Sequence, residues 1–455
     1  MQAVMRLATG LAMLAALAGT ARAQISMSSA VDLALRNDPR IKSAQAEVVK
    51  ARADLASTHD AYIPTVGISG GYGGSTGVPL SVPVVFSIAS QSLLFNFSQK
   101  DYVRAAASAV KAAELAYQEA RDKVAEDAVV TYLDLDNSQQ RHEAMLDEST
   151  AANRLVAIVQ DRQTAGQDTR IDLLRARRTA AQIRVQQLQL EDEMATLQDH
   201  LGHLLGLPGT ALQTISNSIP ELPAPGSMAS DSSDSFAIQS AFAGARSKQE
   251  TAFGAGRYRF RPEFSFGANY SRISTSHTNY PLYYPGFQGG EHLSDNALSI
   301  GIQIQIPIFD RGHQDRARSA EADAIHSLFD AEDQRNQFLE ERFKLRHSIE
   351  ELSARSDLAE IDRDLAQEQL NAVLIQLQAG NGNASGPPLT PKDEQNARLQ
   401  QSARTIDLLN AQYEVRQAQV NLMRQTGTLD DWLKSALASP AAAAPAVQAA
   451  PPATP

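Results

Sequence analysis

The sequence predicts an α+β membrane protein that is internally duplicated, with long α-helical coiled coils and four transmembrane β-strands per chain. Three observations predict this fold. One order of motifs occurs twice along the chain, strands in each copy alternate between apolar and polar residues, and the helical segments are longer than a globular core requires.

Residues 1–23 have the pattern of a secretory signal peptide. Arg6 gives the positive start, Leu11 to Ala18 form the apolar stretch, and Ala21-Arg22-Ala23 is a small-x-small cleavage site. We therefore expect an exported chain that begins at Gln24. The chain has no cysteine, so we expect no lipid anchor, and disulfides, thiolate metal sites and thiol nucleophiles are excluded.

The mature chain is strongly acidic. Without the two arginines of residues 1–23 it has 39 basic and 52 acidic residues, a net charge of −13. This charge argues against nucleic acid and anionic lipid headgroups as partners. Beyond the signal peptide no apolar run approaches the ~18 residues of a membrane-spanning helix, so a membrane crossing would have to use strands.

The duplication is visible as motif pairs at nearly constant separation. Residues 62–66 match 260–264 at a shift of 198, and Asp172 matches Asp393 at a shift of 221. The shift changes only between elements, as insertions in loops would cause. The predicted divisions are a first repeat at 24–213, a linker at 214–235, a second repeat at 236–433 and an Ala/Pro-rich disordered tail at 434–455.

Each repeat is predicted to contain a helix, two strands, a long helix, a tip turn and a return helix. In the first repeat the two strands, the long helix and the return helix fall at about 62–73, 84–97, 98–163 and 170–206. In the second repeat they fall at about 260–273, 296–309, 311–378 and 392–425. The long helix of the first repeat contains neither glycine nor proline, and Val103, Val110, Tyr117 and Val124 recur every seven residues, which indicates coiled-coil packing.

The strands of the second repeat have one apolar and one polar face. The apolar positions predicted to face lipid are Phe264, Phe266, Tyr270, Ile300, Ile302, Ile304 and Ile306. A soluble sandwich with one buried face would show the same alternation. The strand lengths match the ~9 to 11 residues of a tilted membrane strand, and four strands leave open edges that only other copies of the chain could close.

The chain combines the signal peptide, the duplicated hairpins with two strands each, the Ala-Gly turns, and the motifs Arg261-Pro262-Glu263 and Pro307-Ile308-Phe309-Asp310. In these features the chain resembles the TolC family of outer-membrane efflux proteins. The similarity covers about residues 28–433. It implies a homotrimer with a 12-strand β-barrel and a helical coiled-coil barrel in the periplasm of a Gram-negative envelope. It also implies a periplasmic adaptor and an inner-membrane pump as partners, and no cofactor.

The resemblance also implies the positions of functional residues. The periplasmic entrance of the family carries two acidic residues, which fall here on Asp393 and on the neutral Asn396. Asp172 and Arg175 are placed at the entrance with them, and a helix N-terminal acid is the alternative role of Asp393. The tip turns at Ala165-Gly166 and Ala379-Gly380 would receive adaptor helices, or serve only as glycine caps.

The other side-chain patterns give little indication of metal binding or catalysis. His200 and His203 share a helix face, but two ligands without a third are more typical of a solvated surface pair than of a metal site. No nucleophile or phosphate-binding motif is present, so we expect no enzyme. The resemblance implies an outer-membrane exit duct for an efflux pump or a type I secretion system. A periplasmic adaptor or a structural coiled-coil protein of the cell envelope is the alternative to this duct, and a tyrosine-rich loop at 276–292 lies between the two strands of the second repeat.

Overall fold

The computed structural model describes residues 23–71, 84–223, 235–258, 260–273, 296–379 and 389–438. The predicted signal peptide up to Arg22, the tyrosine-rich loop and Gly380 lie outside these residues. The chain divides into two units, the first made of residues 1–43, 118–235 and 337–455 and the second of 44–117 and 236–336.

The described residues form eight α-helices and six strands. The helices are α1 Met27–Asn37, α2 Pro39–Asp60, α3 Gln99–Thr164, α4 Arg170–Leu205, α5 Phe236–Gly256, α6 Arg311–Ala379, α7 Pro391–Thr426 and α8 Leu429–Ala438. The strands are β1 Ala23–Ile25, β2 Thr65–Gly70, β3 Val84–Phe95, β4 Leu212–Thr214, β5 Glu263–Ile273 and β6 Asn296–Gln305. Among the described helices, none combines the length and apolar character needed to cross a membrane.

The first unit is built on coiled-coil packing. In α3 every seventh residue from Val124 onward is buried, namely Thr131, Ser138, Met145, Ala152 and Val159. In α4 the buried positions Ala176, Ile183, Leu190 and Leu204 follow the same period. A seven-residue repeat of buried positions is the signature of helices that supercoil around one another, so the predicted coiled coil is confirmed.

Tyr132 of α3 joins the start of the mature chain to the predicted linker. Strands β1 and β4 pair in parallel, with Ile25 opposite Thr214. The fully buried Tyr132 hydroxyl donates to the Ile25 carbonyl at 2.8 Å and accepts from the Ile215 backbone N–H at 2.8 Å. The beginning of the predicted linker is therefore ordered by strand pairing and hydrogen bonds.

The beginning of the predicted disordered tail is helical, which corrects the sequence-based expectation for residues 434–438. Helix α8 buries Leu429 and Leu433, and Trp432 Nε1 donates to the Glu221 carbonyl at 3.2 Å. Lys434 pairs with Asp430 one turn earlier. These anchors outweigh the low-complexity composition that follows them.

The second unit contains a four-stranded antiparallel sheet in the order β2-β3-β5-β6. Pro64 and Pro262 immediately precede β2 and β5, and β6 ends at Gln305, two residues before Pro307. Proline lacks the N–H that a ladder requires, so Ile306 and the residues to 309 lie outside the strand that the alternation predicted. Residues 96 and 97 likewise follow the end of β3.

Close approach and ion pairing join α3 to α5 in this unit. The buried Asp101 carboxylate accepts from Arg104 and lies 3.0 Å from Arg257 Nε. At Gly254 an added Cβ would stand 2.7 Å from the Tyr102 ring. Only glycine allows the two helices to approach this closely.

Candidate entrance, docking turns and strand faces

Asp172 lies in the N-terminal cap of α4. Its Oδ2 accepts from the Thr169 backbone N–H at 3.0 Å and from the Thr169 hydroxyl at 2.6 Å, and Arg175 Nη1 lies 3.8 Å from Oδ1. The hydrogen bonds from Thr169 hold the pKa of Asp172 below its ordinary value, and the positive charges of Lys392 and Arg175 act in the same direction. The carboxylate is thus charged and fixed in orientation at neutral pH.

Asp393 takes the equivalent position in α7. Its Oδ2 accepts from the Thr390 backbone N–H at 2.8 Å and from the Thr390 hydroxyl at 2.7 Å. The helix N-terminal role that the sequence left open therefore has direct hydrogen-bond support. Both hydrogen bonds end on the same oxygen of the half-buried Asp393 carboxylate. Asn396, one turn further along α7, is exposed.

Asp168 connects the two repeats beside these caps, although the sequence analysis did not select it. Its side chain, 9% exposed, accepts from Arg162 Nε at 3.1 Å, and Lys392 Nζ lies 3.8 Å from its Oδ2. Seven residues after Lys392, Leu399 of α7 packs against the buried apolar cluster of Leu155, Val159, Leu173 and Ala176. The start of α7 is therefore held to the first hairpin by one ion pair and one apolar contact. A contact between segments more than 200 residues apart leaves no local sequence signal.

In the first tip turn (residues 165–169), every residue except Asp168 is solvent-exposed. Gly166 has φ +74°, and nothing lies within 4 Å of an added Cβ. The Gln167 backbone N–H donates to the Arg162 carbonyl at 2.8 Å, which closes the C-terminus of α3 in the manner of a glycine cap. In the second turn Ala379 is the last residue of α6, and Gly380 lies outside the described residues.

The strand register places the predicted lipid-facing residues on one face. Phe264 pairs with Ile304, Phe266 with Ile302, Ala268 with Ile300 and Tyr270 with Leu298. Directly opposite residues share a face of the sheet, so this is one continuous apolar surface. Ile300, Ile302 and Ile304 are 66%, 64% and 57% exposed in the single chain. Ile306 is also exposed but follows the end of β6.

The two surface histidines have separate partners. His200 Nε2 lies 3.3 Å from Asp127 Oδ1, and His203 Nδ1 lies 2.8 Å from the Asp199 carbonyl. Within the described residues, no cluster of three or more potential ligands could hold a metal ion.

The chain was compared with protein families, curated proteins and solved structures. The family model for outer membrane efflux proteins matches residues 30–207 and 233–428. A search of curated proteins finds no significant match.

Several solved structures share the fold. The outer membrane channel CmeC of Campylobacter jejuni has a TM-score of 0.71 at 17% identity, with 90% of this chain and 89% of that chain covered. The outer membrane protein VceC of Vibrio cholerae has a TM-score of 0.67 at 20% identity, with coverages of 88% and 96%. The open-state MtrE outer membrane channel of Neisseria gonorrhoeae has a TM-score of 0.64 at 14% identity, with 89% of each chain covered.

The family model spans both repeats, including the caps at Asp172 and Asp393 and all four strands of the sheet. With the coiled-coil packing and the apolar strand face, this match shows that the chain belongs to the outer membrane efflux protein family.

Proposed function

We propose that this outer membrane efflux protein works as a homotrimeric, passive exit duct, and that it catalyses no reaction. Three chains would join their four-stranded sheets into one closed barrel, and the duct would receive cargo from an inner-membrane pump through a periplasmic adaptor. The observation that carries the proposal is the continuous apolar face of β5 and β6, exposed in the single chain.

The edges of the sheet support closure by other copies. In the described sheet, β2 pairs only with β3 and β6 only with β5, so each leaves one edge of backbone groups without a strand partner. In hydrocarbon such groups have no water to bind, and each orphan group costs several kcal/mol. Further copies of the same sheet would pair both edges.

The helices offer a second argument for the oligomer. Ile171, Leu174, Val185 and Leu188 are 61%, 54%, 55% and 45% exposed, and the spacing of 14 residues between the two pairs places them on one face of α4. The buried seam of α4 already uses Ile183 and Leu190. A second apolar face on a coiled-coil helix requires a further helix, which another copy of the chain would supply.

We assign the entrance to Asp393 and Asn396, with Asp172 and Arg175 beside them, and the adaptor contacts to the tip turns around Ala165, Gly166, Ala379 and Gly380. The caps support this placement because they fix the carboxylates next to the exposed turn. A small, exposed turn allows the backbone of another helix to approach closely.

The deciding experiment is reconstitution of the detergent-extracted mature protein in planar bilayers, with parallel analysis of outer membrane fractions. We expect a trimer that migrates as a monomer only after heating, and stable ion conductance. A monomer that is soluble without detergent would contradict the proposal and favour a periplasmic adaptor or structural coiled-coil protein. Photo-crosslinking from Ala165 in cells should capture a periplasmic protein with a long helical hairpin.

A further inference from the structure

The polar face of the sheet carries one ionisable side chain over its described rungs. From Glu263 to Ser271 along β5, the residues that share this face across the four strands are glycine, alanine, serine, threonine, asparagine, glutamine and Leu93. Glu263 is the exception. In a barrel with lipid on the apolar side, this polar face lines the water-filled interior.

The position of the Glu263 carboxylate is fixed. Its Oε2 accepts from Asn96 Nδ2 at 3.0 Å, and Asn96 Oδ1 in turn accepts from the Ser98 backbone N–H at 2.7 Å. Glu263 lies at the first rung of β5, directly opposite Gln305 at the last rung of β6. This is the end of the sheet at which β3 leads into α3, and the side chain is exposed.

We infer that Glu263 forms a selectivity ring at this end of the barrel interior. The inference rests on the proposed trimeric duct, in which three copies of Glu263 would face the same aqueous space. Three carboxylates on a wall whose other described rungs are uncharged concentrate cations and repel anions, because low-dielectric walls strengthen the field of fixed charges. The ring is distinct from the entrance acids, because Glu263 belongs to the sheet and Asp393 to the start of α7.

The test is the reversal potential of the full-length trimer in a planar bilayer under a KCl gradient. At a salt concentration on the order of 10 mM the Debye length reaches ~30 Å, so the ring acts across the lumen. We expect Glu263→Gln to lower the K⁺/Cl⁻ permeability ratio about two- to fivefold, and Glu263→Asp to leave it nearly unchanged.

A transplanted charge supplies the matched control. Gln305 is the cross-strand partner of Glu263 on the same face, so Gln305→Glu in the Glu263→Gln protein should restore the permeability ratio. Conducting variants with unaltered selectivity would overturn the selectivity ring while leaving the duct intact. Wild-type protein that forms trimers but no pores would instead contradict the proposed duct, and the ring with it.

Discussion

Lys392 Nζ lies 3.8 Å from Asp168 Oδ2, which joins the first turn of α7 to the tip turn of the first repeat. Asp168 also accepts from Arg162, so a single, largely buried carboxylate neutralises two cations. Removing one partner of such a network leaves uncompensated charge, at a cost of roughly 3 kcal/mol when fully buried and less here.

We expect Asp168→Asn to loosen the start of α7 and to raise the open probability of the reconstituted pore. Asp161→Asn is the control, because this residue is exposed near the same turn and its backbone carbonyl makes the local hydrogen bonds. Bilayer recordings at equal protein density measure the effect. Equal open probabilities for the two variants would show that the ion pair between Lys392 and Asp168 does not influence opening of the pore.

Asp393 and Asp172 form the same type of cap, and only Asp393 takes one of the two acidic entrance positions that the family resemblance implies. Asp393→Asn should cost about 0.5–1 kcal/mol of helix stability through the weakened cap. Asp172→Asn should weaken its own cap in the same direction. Asp393→Asn alone should also lower cation selectivity in bilayers. A similar change of selectivity in both variants would assign the entrance to the two turns jointly.

The two strand faces predict opposite tolerance to charge. Ile302→Lys puts a cation on the apolar face, at a cost of about 2–4 kcal/mol in the middle of the bilayer. Gln303→Lys changes the next residue, on the polar face, and should be tolerated. The yield of heat-modifiable trimer in outer membranes measures both, and normal assembly of the Ile302 variant would rule out lipid contact at this position.

The raised pKa of Asp122 should make the stability of the folded protein depend on pH. Burial, followed by the negative charges of Glu119 and Asp430, raises the pKa of this carboxyl to about 6. The folded protein then binds the proton more tightly than the unfolded chain. The cost in stability is therefore fully present above pH ~6, and it is relieved as the pH falls through about 6 toward the ordinary carboxyl pKa of about 4.

Asp122→Asn should therefore be more stable than wild type at pH 7.5, by on the order of 1 kcal/mol after allowance for solvent screening. The difference should shrink at pH 5. Thermal unfolding of the trimer at both pH values provides the measurement, with Asp147→Asn as an exposed control on the same helix. A less stable Asp122 variant at pH 7.5 would contradict the sign of this prediction.

Two glycines of α5 allow a matched packing test. Gly254→Ala places a methyl group against the Tyr102 ring and should destabilise the protein by about 1–3 kcal/mol. Gly244→Ala meets nothing within 4 Å and should stabilise the helix by about 0.5–1 kcal/mol. Denaturant unfolding of the trimer distinguishes them, and equal shifts would mean that Tyr102 moves aside at no cost.

The sequence was sufficient for features that repeat along the chain. The period of seven in α3 identified Val124 as a buried position, and the period of two in β6 placed Ile300, Ile302 and Ile304 on one apolar face, because each pattern reports directly which positions share a face. The strand end was missed because Ile306 and Ile308 continue the alternation, although Pro307 cannot continue the ladder.

Features that depend on distant segments could not be predicted. The contact of Lys392 with Asp168 and the hydrogen bond from Trp432 to Glu221 both join residues far apart in the chain. The entrance positions came from family resemblance, and the hydrogen bonds from Thr390 support the helix N-terminal role of Asp393 that the sequence had left open.

The tie between the chain start and Tyr132 has a consequence for biogenesis. The Met27 backbone N–H donates to the hydroxyl of Ser218, 191 residues later, beside the point where Ile25 meets the Tyr132 hydroxyl. If the polypeptide enters the periplasm from its N-terminus, β1 therefore has no partner strand until nearly half of the chain has emerged. During that interval the N-terminal segment is accessible to envelope chaperones and proteases, and variants that lack the Tyr132 hydroxyl should leave it accessible after the chain has emerged as well.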